Sequence, residues 1–306
     1  MHTGGCDGAA NLHREGLGSA WVMVVALAAV DTLWAWRIGF RFRDFGPELC
    51  VVGSLAATGW WYERAQKYPS IRDLGCYYAL WFAYPVVWNI FTYLAATSWR
   101  LPLCDSQLCA LDASLGFHWM NWAVPVYAHP VVKRMFFLAY DSIFLQAFAF
   151  VAYFAMTGQR ERNRELLWIT MVGGLVTIFI AAVAPALGPQ SAHVPPWTRA
   201  LLALRAGKVS SVGISDMQGI VAFPSFHTVL AVAFIYANRP PSRIFWPIAI
   251  LNAVMLLSIP PMGHHYLTDV IAGTAVTVGA IAILRMVTAH REPLTVASSR
   301  AVTAQV

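Results

Sequence analysis

Residues 263–273 read Gly-His-His-Tyr-Leu-Thr-Asp-Val-Ile-Ala-Gly, and within them His265 and Asp269 stand four apart at the beginning of an apolar helical pattern. That spacing puts both side chains on one helix face. A carboxylate so placed holds one imidazole nitrogen and leaves the other free to attack an electrophile. A second apolar pattern begins in the same way, with Phe223-Pro224-Ser225-Phe226-His227, and supplies a second histidine. His227, His265 and Asp269 are therefore the catalytic candidates: two imidazoles, two helix starts and one carboxylate.

Helix starts also attract anions. Pro224 suits a first turn, where its missing N–H costs nothing, so the free N–H groups around Ser225 and Phe226 are candidate phosphate ligands that need no metal. An isolated Pro-Ser reads as a simple cap; His227 in the same turn is what points to chemistry. A bound phosphate calls for cationic neighbours, and Arg205 and Lys208 lie in the connection just ahead of Pro224, with lipid headgroups as their alternative occupation. His264 points about 100° away from His265 on the helix and is a hydrogen-bonding neighbour rather than a catalyst. Tyr140, Asp141 and Gln146 complete the candidate cavity lining, with a structural hydrogen bond between helices as the competing role for the polar pair. His118, His129 and His193 fall in the outer connections, where solvated or interfacial histidines are ordinary.

The elements that must position these residues follow from composition. The 306 residues are 58% hydrophobic and 12% charged, and the apolar blocks are longer than a soluble core needs. An all-α, polytopic transmembrane helical bundle is expected, with about seven or eight spans. Candidate spans are Ala20–Trp36, Leu49–Trp61, Leu74–Trp99, Arg134–Thr157, Leu166–Leu187, Phe223–Ala237, Ile244–Pro260 and His265–Arg285. The first reads as a retained anchor rather than a cleaved signal peptide. Leu49–Trp61 and Phe223–Ala237 are short, the latter as expected if its start is recessed around a site. The net charge is +6, but Lys and Arg sit between apolar blocks, which sets topology and argues against nucleic-acid binding.

Arg160, Arg162 and Arg164, then Arg239 and Arg243, then Arg285, Arg291 and Arg300 mark three cytoplasmic regions by the positive-inside rule. The connections Arg100–Lys133 and Gly188–Ala222 and the turn Pro260–His264 then share the opposite, extracytoplasmic face, and an out-and-back hairpin brings His227 and His265 to it. Nearer the amino terminus, Arg37, Arg41 and Arg43 compete with Arg64, Lys67 and Arg72 for the inner side. Eight spans put the amino terminus inside and leave the first trio outside; a re-entrant second segment reverses this. Trp119 and Trp122 suit a helix at headgroup level, either an interfacial anchor or a lid. Cys104 and Cys109 share one polar connection and are either a small disulfide loop or two free thiols. Residues 1–133 thus hold amino-terminal spans and an interfacial connection, 134–290 a catalytic transmembrane core, and 291–306 a disordered cytoplasmic tail.

The strings Pro224-Ser225-Phe226-His227 and Ser258 through His265 to Asp269 resemble the second and third motifs of the type-2 phosphatidic acid phosphatase superfamily. His264-His265-Tyr266 resembles in particular the branch containing aureobasidin-sensitive inositol phosphorylceramide synthase. The resemblance implies a six-helix core, no metal or cofactor, a lipid phosphate, diphosphate or phospholipid-headgroup substrate, and a bacterial inner-membrane setting. It makes His265 the nucleophile that forms a phosphohistidine, Asp269 its orienting carboxylate and His227 the acid for the leaving oxygen. The sequence departs from the pattern in lacking the first motif, Lys-x6-Arg-Pro, and in having Ile259 where an arginine follows the motif serine; Arg205 and Lys208 gain weight for that reason. Water as acceptor makes the enzyme a hydrolase and an alcohol makes it a transferase. Two other classes compete: a metal enzyme liganded by His227, His264, His265 and Asp269, although adjacent histidines on a helix diverge, and a transporter with an intramembrane His/Asp relay, although the motifs sit at helix starts rather than mid-membrane.

Overall fold

Backbone amides in a bilayer must pair within their own segment, so long apolar stretches become helices. The computed structural model has that character, with almost no sheet. It describes the backbone of residues 4–189 and 194–303 and the side chains of 17–189 and 194–289; His193, Arg291 and Arg300 lie outside the described side chains. The helices are α1 (Gly4–Ile38), α2 (Gly46–Ala65), α3 (Pro69–Ser98), α4 (Asp105–Ser114), α5 (Trp119–Ala128), α6 (Pro130–Met156), α7 (Arg160–Val183), α8 (Pro196–Arg205), α9 (Phe226–Ala237), α10 (Phe245–Gly263) and α11 (Leu267–Thr303). Two short strands, β1 (Arg41–Arg43) and β2 (Ser211–Gly213), pair in parallel.

Six of these helices are long and apolar enough to cross a membrane: α1 over Leu17–Ile38, α3, α6, α7, α10, and α11 over Leu267–Ala289. The chain is an integral membrane protein of the helical-bundle class. As expected, α9 is apolar but short, at 12 residues. α11 continues as helix through Thr303, across most of the stretch expected to be a disordered tail. α6 begins at Pro130, ahead of the expected Arg134, because a proline at the first helical position is already set to the helical φ.

α3 is the central post, packed on α1, α2, α6 and α7. Its contact with α2 is backbone to backbone: a Cβ on Gly75 would lie 2.6 Å from the Gly59 amide nitrogen. One apolar cluster joins α1, α3 and α7 through Tyr77, Tyr84, Trp88 and Met171. A second joins α6, α7, α9, α10 and α11 through Phe150, Phe154, Leu166, Phe234 and Met255. Phe226 packs against both.

The two ends of the bundle differ. At one, Arg72 and Arg160 each hold Asp73 at 2.7 Å, Arg239 pairs with Glu165 at 2.7 Å, and Arg162 donates to the Ala237 and Arg239 carbonyls at 2.8 Å. Arg285 lies over the Tyr236 ring at this same end. At the other, β1 carries Arg41 and Arg43 to β2. α2 starts beside β1 and ends with Glu63 on Arg72 at 3.0 Å, so it traverses the bundle; over 20 residues that is about 30 Å. A full traverse, not a re-entrant loop, puts the beginning of α1 at the arginine-rich end and Arg41 and Arg43 at the opposite one.

Candidate active site

α9 starts two residues later than a proline at its first position would have it. Ser225 is the N-cap, its hydroxyl accepting from the Thr228 amide at 3.4 Å, and Pro224 lies outside the helix. The Ser225 N–H is not free either: it donates to the Asp269 carbonyl at 3.1 Å and so stitches the two motifs together through backbone. The amides of Phe226 and His227, next along the first turn, have no acceptor among the described residues. The Phe226 ring itself turns inward onto Trp88, centroids 5.0 Å apart.

α10 ends in Pro260-Pro261. Pro261 has no N–H to give the Leu257 carbonyl four residues back, and Trp122 Nε1 fills that vacancy at 3.1 Å. Trp119 Nε1 donates to Pro260 O at 2.7 Å, and the Tyr127 hydroxyl to Pro261 O. α5 is therefore a brace of aromatic donors on the last turn of α10 rather than a freestanding anchor. The chain reverses at His264, in the left-handed region with φ 52°, and both the His264 and His265 amides donate to Pro260 O.

His265 consequently sits in the turn between helices, not on α11 as its spacing implies. Its Nδ1 lies 2.9 Å from Asp269 Oδ2; a carboxylate only accepts, so Nδ1 carries the proton and Nε2 keeps its lone pair. The same Oδ2 accepts the Tyr266 N–H at 2.9 Å, the reach-back of a third helical residue to the N-cap amide. His265 is 5% exposed and Asp269 0%, which keeps this pair dry and the ring fixed.

The next two amides of α11 are claimed by Asp112 of α4. Its carboxylate accepts from Leu267 N and Thr268 N at 2.8 Å each, and from the Thr268 hydroxyl at 2.5 Å. The start of α11 is thus filled by a protein carboxylate and is not an anion site, contrary to the reading of two open helix starts. Asp105, seven residues earlier on the same face of α4, accepts from the Leu187 and Gly188 amides at 3.0 Å and from the Tyr266 hydroxyl at 3.3 Å. Burial, and then the Asp105 charge, push the Tyr266 phenol above its usual range, so it remains a donor. Asp105 and Asp112 were not singled out in sequence; their signal is the Asp-x-x-Leu-x-x-x-Asp period of one helix face, with Leu108 buried between them.

Tyr140 joins the two histidines. Its ring stacks on His227 at 4.2 Å with the hydroxyl 3.4 Å from Nδ1. A Cβ on Gly263 would meet His265 Cδ2 at 2.6 Å and the Tyr140 hydroxyl at 2.9 Å. Only glycine lets Tyr140 and His265 approach the same point. Likewise a Cβ on Gly273 would lie 2.6 Å from Ser225 O and 2.8 Å from Thr228 Cβ, so α11 and the α9 start touch at backbone distance.

The remaining expectations divide. His264 packs its ring between Trp119 and Trp197, centroids 5.4 and 6.0 Å away. Gln146 is no cavity liner: it accepts from Asn252 at 2.7 Å across α6 and α10, the structural bond that was the alternative. Asp141 faces outward, exposed, because it follows the inward Tyr140 by about 100° on α6. Arg205 donates to the Leu101 carbonyl in a crevice it shares with Phe223, and Lys208 is exposed; no hydrogen bond or ion pair joins either to the histidines among the described residues. Ser258 is buried and bonds back to Met255 O at 2.7 Å. Cys104 and Cys109 are separate thiols.

No curated protein and no solved structure matches the chain. A family model described as PAP2 superfamily matches residues 106–283, a stretch that begins one residue into α4 and includes both histidines, Asp112, Asp269 and the brace, with Asp105 just ahead of it. The match names the superfamily and no branch within it. It covers more than half of the 306 residues, and on that match this integral membrane protein belongs to the PAP2 superfamily, a phosphatase-type family.

Proposed function

We propose that the protein is a metal-independent lipid phosphatase or phosphotransferase working through a phosphohistidine. The carrying observation is the buried His265–Asp269 pair, which leaves Nε2 of His265 as the nucleophile. Nε2 attacks phosphorus as the P–O bond to the leaving group breaks; His227, protonated, gives its proton to the departing oxygen. An acceptor hydroxyl then surrenders its proton to His227 and takes the phosphoryl group from His265. The open amides of Phe226 and His227 receive the phosphoryl oxygens.

The finer reading takes the substrate as a lipid phosphate, diphosphate or phospholipid headgroup, with the centre on the extracytoplasmic face of a bacterial inner membrane. It takes residues 134–290 as the catalytic core. The His264-His265-Tyr266 string, with Phe226 at the glycine position of the second motif, favours the inositol phosphorylceramide synthase-like branch, in which an alcohol replaces water. The acceptor is tested with purified protein, chelator present and a labelled lipid phosphate, by following free phosphate against phosphorylated alcohol. Acid-labile, alkali-stable label on wild-type protein, absent from His265→Ala, is the expected result; full turnover by His265→Ala, or activity lost to the chelator and restored by a divalent metal, would refute the mechanism.

A further inference from the structure

A cavity of about 430 Å³ lies between α1, α2 and α3, outside the family-matched stretch and away from the histidine centre. Its α1 wall is the stripe Trp21, Val24, Ala28, Asp31 and Ala35 on one helical face, with Thr32 at its edge. The opposite face of α1, with Val22, Val25 and Leu33, is exposed. Asp31 is 3% exposed, and neither of its carboxylate oxygens has a partner among the described residues. Glu48, in the first turn of α2, lines the same cavity and has a buried, unpartnered oxygen of its own. No Lys, Arg or His is among the described lining residues.

Two acids, one of them buried, facing one space without a counter-charge on its lining are costly in a membrane protein and ordinarily mark a function. The rest of the wall is apolar apart from Thr32, whose hydroxyl donates to the Ala28 carbonyl at 2.7 Å. Asp31 and Glu48 stand toward the β1 end, and the lining extends from them to Trp21, about 15 Å along α1 at the helical rise. Polarity is thus confined to one end of an elongated apolar space. Leu49, on the lining, is 66% exposed, so the cavity opens sideways toward the region of lipid chains.

We infer that this cavity binds an amphiphile with an ammonium head, its nitrogen between Asp31 and Glu48 and its alkyl chain running toward Trp21. The head supplies the donors and the charge that both carboxylates lack, and the chain fills the apolar remainder. The inference does not depend on the reading of the histidine centre.

The test uses the full chain in a non-ionic detergent, with dodecylamine, dodecanol and dodecanoate as probes, read by native mass spectrometry and by melting temperature. Dodecylamine is expected to bind one per chain and raise the melting temperature, with the alcohol and the carboxylate doing neither. Asp31→Asn and Glu48→Gln should each weaken amine binding by about tenfold or more, the scale of a charged hydrogen bond. Ala28→Phe, which fills the space and keeps both acids, should abolish it. Equal binding of dodecanol, failure of the amine to bind, or undiminished binding in Asp31→Asn or in Ala28→Phe would each overturn the proposal.

Discussion

Asp112 makes no hydrogen bond or ion pair with either histidine among the described residues, yet its removal should cripple the centre. Asp112→Ala orphans three donors at once: the first two amides of α11 and the Thr268 hydroxyl. Asp112 is 3% exposed, so water replaces it poorly. Loss of a helix N-cap alone costs about 1–2 kcal/mol, and bonds to a charged acceptor are stronger. We expect about 2–4 kcal/mol for the substitution, or about 4–8 °C in melting temperature at about 2 °C per kcal/mol for a chain of this size. Asp112→Asn, which keeps one acceptor oxygen, should lose about half of that. The effect on turnover is positional: fraying the first turn of α11 moves Asp269 relative to His265, and a misplacement of about 1 Å is worth about a hundredfold in rate. The measurement is kcat and KM for hydrolysis of a short-chain lipid phosphate, taken well below both melting points, beside a thermal unfolding curve in the same detergent. The loss should fall on kcat. An Asp112→Ala protein that melts within about 1 °C of the parent and keeps its kcat would refute the argument that α4 holds the catalytic turn.

Four further outcomes follow from the same geometry. Gly273→Ala drives a methyl into the Ser225 carbonyl and Thr228, and should cost about 1–3 kcal/mol in thermal unfolding, whereas Gly279→Ala, where the space is open, should be neutral or slightly stabilising. Trp122→Phe leaves the Leu257 carbonyl without its donor and should lower stability by about 1 kcal/mol, read as a small downward shift in melting temperature. Tyr140→Phe keeps the stack on His227 but removes the hydroxyl, so turnover should fall while substrate affinity holds; Tyr140→Ala should lose both. His227→Ala should spare substrates whose leaving group needs no proton, measured as a smaller rate loss for an aryl phosphate than for an alkyl one.

What the sequence made legible was local. Pro224–His227 and His265–Asp269 carry their chemistry within a few residues, and the arginines that follow α6, α9 and the apolar part of α11 imply a hairpin that brings the two histidines to one end. What it hid was tertiary. Nothing near Asp112 in sequence says that its carboxylate will occupy the start of a helix 155 residues later, and for that reason the α11 start read as open. The position of His265 just ahead of α11 was hidden too, because an i, i+4 pair looks the same whether its first member is helical or held in a turn. Arg205 was credited with a phosphate because it is cationic and close in sequence, but the Leu101 carbonyl takes its guanidinium. Two basic trios compete for the inner side near the amino terminus, so charge alone does not place the first helices; the strand pair of Arg41–Arg43 with Ser211–Gly213 puts the first trio's strand beside the loop that leads to Pro224.

That strand pair has an implication for how the molecule can be taken apart. The segment Ser211–Gly213 belongs to the loop that delivers Pro224, and its hydrogen-bonding edge is completed by Arg41–Arg43, which precede the family-matched region altogether. A transplant limited to residues 106–283 would leave that edge bare, whereas a graft that carries the early arginine strand along would retain the tether that holds the delivering loop in place.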